Sequence, residues 1–206
     1  MPKVKFNICN GHVAVKKTDA TGKVTYDAPI PVPGSVSVAL EAKGEITQFY
    51  ADGVVYYKAS ANSGYEGDWE VAIVPDEIRE KILKEVIDKN KVMLEKMNVD
   101  LTEFAFGFQI DGDTKNTRFW FYNCSASRPK TESKTNEDKK EPQTEVIPIT
   151  ASSEKVIEGS DDQIVRAKTT DEVDSTVYAD WFKAVYIPVL EEVTEASAQS
   201  EGEEQA

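Results

Sequence analysis

Few residues of this chain could carry out covalent chemistry, and those that could lie near the N-terminus. His12 is the single histidine, and Cys9 lies three residues before it. A thiol nucleophile needs a base within hydrogen-bond reach and a third group that orients the base. Both residues lie on one predicted sheet edge without such a third group nearby in the sequence. The pattern therefore does not predict a catalytic site.

Metal and phosphate sites are not indicated either. Cys9, Cys124 and one histidine fall short of the four ligands of a structural zinc site. The turn Asp111-Gly112-Asp113 lacks the ligand spacing and the closing Glu of an EF-hand, so a plain β-turn is the better interpretation. The sequence has no GxxxxGK[ST] and no GxGxxG after a strand. We predict no catalytic, cofactor-binding or metal residues, no cofactor and no enzyme activity.

Composition restricts the function further. The 206 residues carry a formal charge of −13, which argues against a nucleic-acid binder that neutralises phosphates. The two distant cysteines indicate small buried thiols in a reducing compartment, with a single disulfide as the less favoured alternative. No apolar run approaches the ~20 residues of a membrane span, and the N-terminus has no secretory signal pattern. We expect the chain to be made and kept in the cytosol until it assembles, with no membrane association.

The stretch from Phe49 to Leu83 has the strongest local pattern. It predicts a half-buried strand over Val54–Lys58, a turn at Asn62–Gly64, and a second strand from Tyr65 to Ile73 that ends before Pro75. Glu66, Asp68 and Glu70 share the polar face of that second strand, where carboxylates are usually only solvated. A helix capped by Asp76 is expected next, with an apolar face of Ile78, Ile82, Leu83, Val86 and Ile87.

A second strong signal is an aromatic hairpin. Phe104, Phe106, Phe108 and Ile110 share one face of its first strand, and the segment TRFWFYN returns after the Asp-Gly-Asp turn with aromatic residues on both faces. A strand that is aromatic on both faces must be covered twice. We expect a core on one side and another element or another chain on the other.

The remaining chain predicts further strands and several long polar loops. Asn10-Gly11 predicts a hairpin turn between VKFNIC and HVAVKK, and Pro29, Pro31 and Pro33 confine their segment to an edge, an arm or a linker. Strands are expected at Ser35–Leu40, Val146–Ile149, Gln163–Lys168 and over KAVYIPVL up to Pro188. Asp174-Ser175 either caps a short helix or begins an irregular crossover.

These elements indicate one mainly β domain with one flanking α-helix. It covers residues 1–190, with long loops near 17–35, 88–102, 128–143 and 152–162. Residues 191–206 contain six Glu and no Lys or Arg, which predicts a disordered acidic tail.

Four segments together resemble a known protein family. They read FYADGVVYYKASANSGYEGDWEVAIVPDEIRE, FGFQIDGD, TRFWFYNCSASRP and TVYADWFKAVYIP, and PIPVPGSVSVALEAKGE precedes them. In this order and spacing, over about residues 3–188, the chain resembles the major tail proteins of long, non-contractile-tailed bacteriophages of the siphovirus type.

The resemblance implies a fold and a function. The fold would be a β-sandwich or small barrel of the tail tube type. The chain would be a structural protein of the virion tail, made in the host bacterial cytoplasm. It would self-assemble into stacked hexameric rings and form the conduit for genome delivery. Its partners would be other copies of itself, the tape measure protein and the tail terminator, and DNA would pass through without specific binding. The Pro-rich segment, the long loops and the C-terminal segment would contact adjacent rings.

Two other classes of function were weighed against this one. A β-sandwich binding module of a phage virion, for carbohydrate or a host receptor, could use Tyr56, Tyr57 and Tyr65 as exposed aromatic contacts. The alternative that these tyrosines are core or subunit contacts is favoured. A hydrolase is disfavoured because the chain lacks the residues that it would need.

Overall fold

The structure is a computed structural model that describes residues 4–44, 46–60, 62–112, 114–135 and 141–189. The predicted tail at 191–206 and Asp113 of the predicted acidic turn lie outside these ranges. The described elements, in chain order, are β1 (Lys5–Thr18), β2 (Val24–Tyr26), β3 (Ile30–Val32), β4 (Ser35–Lys43), β5 (Ile46–Ala51), β6 (Val54–Ser60), β7 (Gly64–Val71), α1 (Asp76–Lys81), β8 (Val86–Ile87), β9 (Met93–Leu94), β10 (Phe104–Gly112), β11 (Thr117–Ala126), β12 (Glu145–Ser152), β13 (Arg166–Lys168) and α2 (Ser175–Asp180).

One large antiparallel sheet dominates the molecule. Its strand order is β2-β1-β10-β11-β12-β7-β4, with β3 paired to β1 and β13 paired to β11. The pairs β5-β6 and β8-β9 form two separate small sheets. The prediction of a mainly β fold is confirmed, with two short helices among the described residues instead of one, and the finer sandwich or barrel type stays a prediction.

The two ends of the large sheet meet at a sharp corner of the chain. β3 pairs with β1 at one end, and β4 pairs with β7 at the other. Only Pro33 and Gly34 separate the two strands. Gly34 has a φ of +86°, and its carbonyl oxygen accepts a hydrogen bond from the backbone N–H of Ala72. The Pro-rich segment therefore forms a short edge strand, one of the roles predicted for it.

Hydrophobic residues cover both faces of the central strands. The inner cluster includes Phe104, Phe106, Phe119 and Phe121 together with Trp69. The outer cluster, built on the opposite face, consists of Ala14, Ala105, Trp120, Tyr122, Val156, Trp181 and Val185. The prediction that the aromatic hairpin is covered twice is thus confirmed, and the second cover includes the C-terminal segment of the same chain.

The N-terminal hairpin prediction is wrong, because β1 runs without interruption through Asn10 and Gly11. The register against β10 shifts between Cys9 and His12, and Asn10 has a φ of +53°, so the Asn-Gly pair forms a β-bulge and not a turn. A Cβ on Gly11 would lie 2.7 Å from the Trp69 ring. The glycine is therefore required by close packing.

The stretch around β6 and β7 differs from its prediction in several ways. β6 pairs with β5 and not with β7, and Ile73 is 68% exposed beyond the end of β7. α1 has Pro75 at its N-cap and ends at Lys81, because the chain turns at Lys84, which has a φ of +58°. Residues expected to continue the helix form β8, which pairs with β9 inside the predicted loop 88–102.

The C-terminal segment packs without forming the predicted last strand. Asp174 caps α2, since its carboxylate accepts hydrogen bonds from the backbone N–H groups of Thr176 and Val177. Residues 183–189 then form turns and irregular structure against the sheet. Side chains of the sheet hold them: Trp120 donates to the carbonyl oxygen of Trp181 at 2.9 Å, and the Tyr122 hydroxyl donates to that of Tyr186 at 2.8 Å.

Candidate assembly surface

The two residues considered for covalent chemistry have separate partners. The Cys9 thiol lies 3.5 Å from an Asp111 carboxylate oxygen and accepts from the Gln109 amide at 3.4 Å. The His12 ring stacks on Phe182 at 4.5 Å, and its Nδ1 lies 2.8 Å from the carbonyl oxygen of Asn10. Burial and the Asp111 carboxylate raise the pKa of Cys9, whereas burial lowers the pKa of His12. A protonated thiol and a neutral ring, each bound to other groups, do not form a nucleophile–base pair.

Metal-binding and membrane-spanning features are lacking in the described part of the chain. Within these residues, no group of three His, Cys, Asp or Glu side chains could hold a metal ion. No helix there is sufficiently long and apolar to cross a membrane. Both cysteines are free thiols; Cys124 is buried as predicted and Cys9 is half-buried.

The β5–β6 hairpin is the most unusual feature of the surface. Asp52 and Gly53 form its two-residue turn, with φ values of +52° and +78°, as a type I′ turn requires. Phe49 pairs directly with Tyr57 across the strands. A register shift follows, which leaves Tyr56 as an extra residue on β6. The turn and the register hold this hairpin in a defined shape.

Large apolar side chains of the hairpin remain uncovered on both strands. Tyr56 is 76% exposed, and the other large side chains range from 42% to 61%; they are Phe49, Tyr50, Val54, Val55 and Tyr57. A two-stranded hairpin is at best marginally stable in water unless something packs on it. Exposed large apolar side chains grouped on one element commonly mark an interaction site. We call these six residues the hairpin patch.

A second open feature is the outer edge of β4. Within the described ranges β4 pairs only with β7, so the other edge of this nine-residue strand presents unpaired backbone groups. Trp69 fixes the start of the strand by donating a hydrogen bond to the Ser35 hydroxyl at 3.2 Å. An exposed edge of this length can accept a strand from another chain.

A smaller apolar group surrounds the β8–β9 hairpin. Met97 is 89% exposed, and Ile87, Val92 and Leu94 are between 41% and 52% exposed. Arg128 fixes this region through an ion pair with Glu95 at 3.1 Å. The molecule therefore has at least two distinct apolar surfaces on its described part.

The three tyrosines considered for ligand binding are not in one place. Tyr65 is half-buried and packs edge-to-face on Phe121 at 5.3 Å, so it belongs to the inner cluster. Tyr56 and Tyr57 belong to the hairpin patch. Among the described residues the structure thus separates a core tyrosine from two surface tyrosines that the sequence pattern had treated alike.

Comparisons with protein-family models and with curated proteins gave no match. The resemblance to phage tail proteins thus depends on the motif order given above and stays a prediction.

Sequence reasoning missed one partly buried polar cluster. Lys16, Glu103, Asn123 and Glu154 converge at one end of the outer face. Residues so distant in sequence show no motif, and only the strand register reveals them.

Proposed function

We propose that the chain is a structural subunit of a bacteriophage tail tube, which self-assembles into stacked hexameric rings that conduct the genome. The observation that carries this proposal is the hairpin patch, a shaped apolar surface that a single copy leaves in water. Such a surface is costly in a chain that functions alone and is expected in a chain that functions in contact with copies of itself.

The separation of two surfaces supports rings in particular. The hairpin patch and the open edge of β4 are different surfaces, so one copy can use the first to contact the second on its neighbour. Contacts between unlike surfaces are head-to-tail, and they close into rings or continue as filaments. Strand addition at β4 would join the sheets of neighbouring copies into one continuous sheet.

The charge of the chain fits a conduit for DNA. Glu66, Asp68 and Glu70 lie on the outward face of β7, and the whole chain carries −13. A wall with the same sign as DNA would let the genome slide without binding. In this proposal the tape measure protein and the tail terminator are the other partners, and the protein is a component of the virion.

Electron microscopy of the purified full-length protein tests the proposal. We expect rings or tubes at high protein concentration. Raising the salt concentration should favour them, because salt screens the repulsion between acidic copies. A monodisperse monomer at every protein and salt concentration would contradict self-assembly.

A binding module is the second candidate, and the exposed Tyr56 and Tyr57 rings are the observation in its favour. Exposed aromatic faces can stack on sugar rings. A glycan array with the same preparation distinguishes the two functions. A monomer that binds glycans, and loses binding when both tyrosines are replaced by serine, would support the module.

A further inference from the structure

The partly buried polar cluster brings an amine, an amide and two carboxylates together. The Lys16 Nζ lies 3.2 Å from the Asn123 amide oxygen and 2.7 Å from a Glu103 carboxylate oxygen. It also forms a close ion pair with Glu154. The Lys16 side chain is only 8% exposed and that of Glu154 17%, whereas Glu103 is 56% exposed. The Lys16 side chain is therefore shielded from most of the solvent.

Strand register explains why these residues meet. Val15 on β1 pairs with Phe104 on β10, which places Lys16 beside Glu103. On β11 two residues, Tyr122 and Asn123, lie opposite the single residue Ala105, because the register shifts there. Such a β-bulge can re-aim a side chain and is over-represented next to active sites. Here the Asn123 side chain meets that of Lys16.

The surroundings are apolar on the sheet side. Tyr122 is fully buried beside the cluster, and the Tyr26 hydroxyl donates to the carbonyl oxygen of Tyr122 at 3.0 Å. Burial, followed by the charge of Glu154, raises the pKa of Tyr26. For Lys16, burial alone lowers the pKa, but hydrogen bonds from its ammonium to Glu103 and Glu154 outweigh burial and raise it overall.

We propose that Lys16 and Asn123 react with each other to form an intramolecular isopeptide bond, with Glu154 as the acid–base group. The amide carbon is bonded to the oxygen that Lys16 already contacts. The distance from Lys16 Nζ to that carbon therefore differs by at most about one bond length from the ~3–3.5 Å of a near-attack geometry. Amines and amides react very slowly in water because nothing holds them in this orientation.

The reaction is balanced within the cluster. A proton first passes from Lys16 Nζ to Glu154, which leaves the net charge of the cluster unchanged. The neutral amine attacks the Asn123 carbonyl carbon while Glu154 donates a hydrogen bond to the developing oxyanion. The new C–N bond forms, and the bond from the carbonyl carbon to Nδ2 breaks. The amine gives one proton to the departing nitrogen, and the ammonia leaves with the Glu154 proton as ammonium.

The bond would join β1 directly to β11 across the intervening β10. Lys16 and Asn123 are 107 residues apart. A covalent closure of so long a loop restricts the unfolded chain, as a disulfide does, by an entropy that grows with loop length. The inference does not depend on the tail tube proposal, because the reaction needs only the folded single chain.

Intact-protein mass spectrometry of the denatured full-length chain tests the inference. We expect a mass lower than the sequence mass by one ammonia, and a digest in which the peptides that contain Lys16 and Asn123 are joined. Lys16→Arg keeps a cation between the two carboxylates but removes the attacking amine, and Glu154→Gln removes the acid–base group. Both variants should have the full mass calculated from their sequences. The control Lys17→Arg changes the exposed neighbouring lysine and should still show the loss of ammonia.

Two results would overturn the inference. One is a full sequence mass in wild-type protein that circular dichroism and cooperative unfolding show to be folded. The other is a loss of ammonia that persists in Lys16→Arg, because cyclisation at Asn10-Gly11 releases ammonia too and does not involve Lys16. In the second case, peptide mapping locates the modified residue.

Discussion

Replacing the cross-strand pair Phe49 and Tyr57 by serine should abolish assembly without unfolding the chain. The two rings are neighbours on β5 and β6, and they are 58% and 61% exposed. An aromatic side chain can bury ~150–250 Å², so each ring has roughly 100 Å² left to cover in a contact. At ~25 cal/mol per Å², covering both rings contributes about 5 kcal/mol to each contact between copies.

A loss of this size weakens the association constant roughly a thousand-fold or more. The free energy of unfolding of the single chain should change by only about 0.5 kcal/mol, because exposed side chains contribute little to it. Sedimentation velocity over a range of protein concentrations measures assembly, and thermal unfolding of the same samples reports on the fold.

Ile73→Ser is the matched control, since Ile73 is 68% exposed but lies outside the hairpin. It should assemble as the wild type does. If the double variant is folded and assembles at the same concentration as the wild type, the hairpin patch is not an interface and the reasoning from its exposure is refuted.

Three further predictions concern the fold. Trp181→Ala should destabilise the chain by about 3–5 kcal/mol in denaturant unfolding, because Trp181 is buried in the outer cluster; an unchanged midpoint would show that the C-terminal segment does not stabilise the sheet. Gly67→Ala should cost about 3 kcal/mol, because the added methyl group would collide with the Ala39 carbonyl oxygen on β4; wild-type stability would refute this packing. Burial lowers the pKa of His12 in the folded chain. Its contribution to stability is therefore complete above about pH 6.5 and decreases as the pH falls toward the folded-state pKa, because the unfolded chain takes up the proton first. A His12→Gln variant should lack this part of the pH dependence, and identical profiles would contradict it.

Sequence patterns predicted those parts of the fold in which one physical effect dominates. Alternation of aromatic residues predicted the pairing of β10 with β11 and the need for two covers, because the register is regular from the Phe106–Phe121 pair to the Ile110–Thr117 pair. Asp174 acted as the N-cap that its position before α2 suggested. The prolines kept β3 short and at an edge.

Other features depend on partners that a local pattern does not contain. Asn10-Gly11 suits both a hairpin turn and a bulge, and the Trp69 ring against Gly11 decides for the bulge. The β6 sequence has the composition of a core strand, but among the described strands only β5 pairs with it, so its side chains remain exposed. Lys16 and Asn123 are brought close together only by the register of three strands.

The way in which the sheet holds the C-terminal segment has a consequence for how this end of the chain can be altered. Trp120 and Tyr122 bind the carbonyl oxygens of Trp181 and Tyr186, which every amino acid provides. Recognition of the main chain leaves exposed side chains such as Lys183 free to change. Affinity tags or fluorescent labels introduced at such positions should leave the anchor intact, which makes this face a practical place to attach probes.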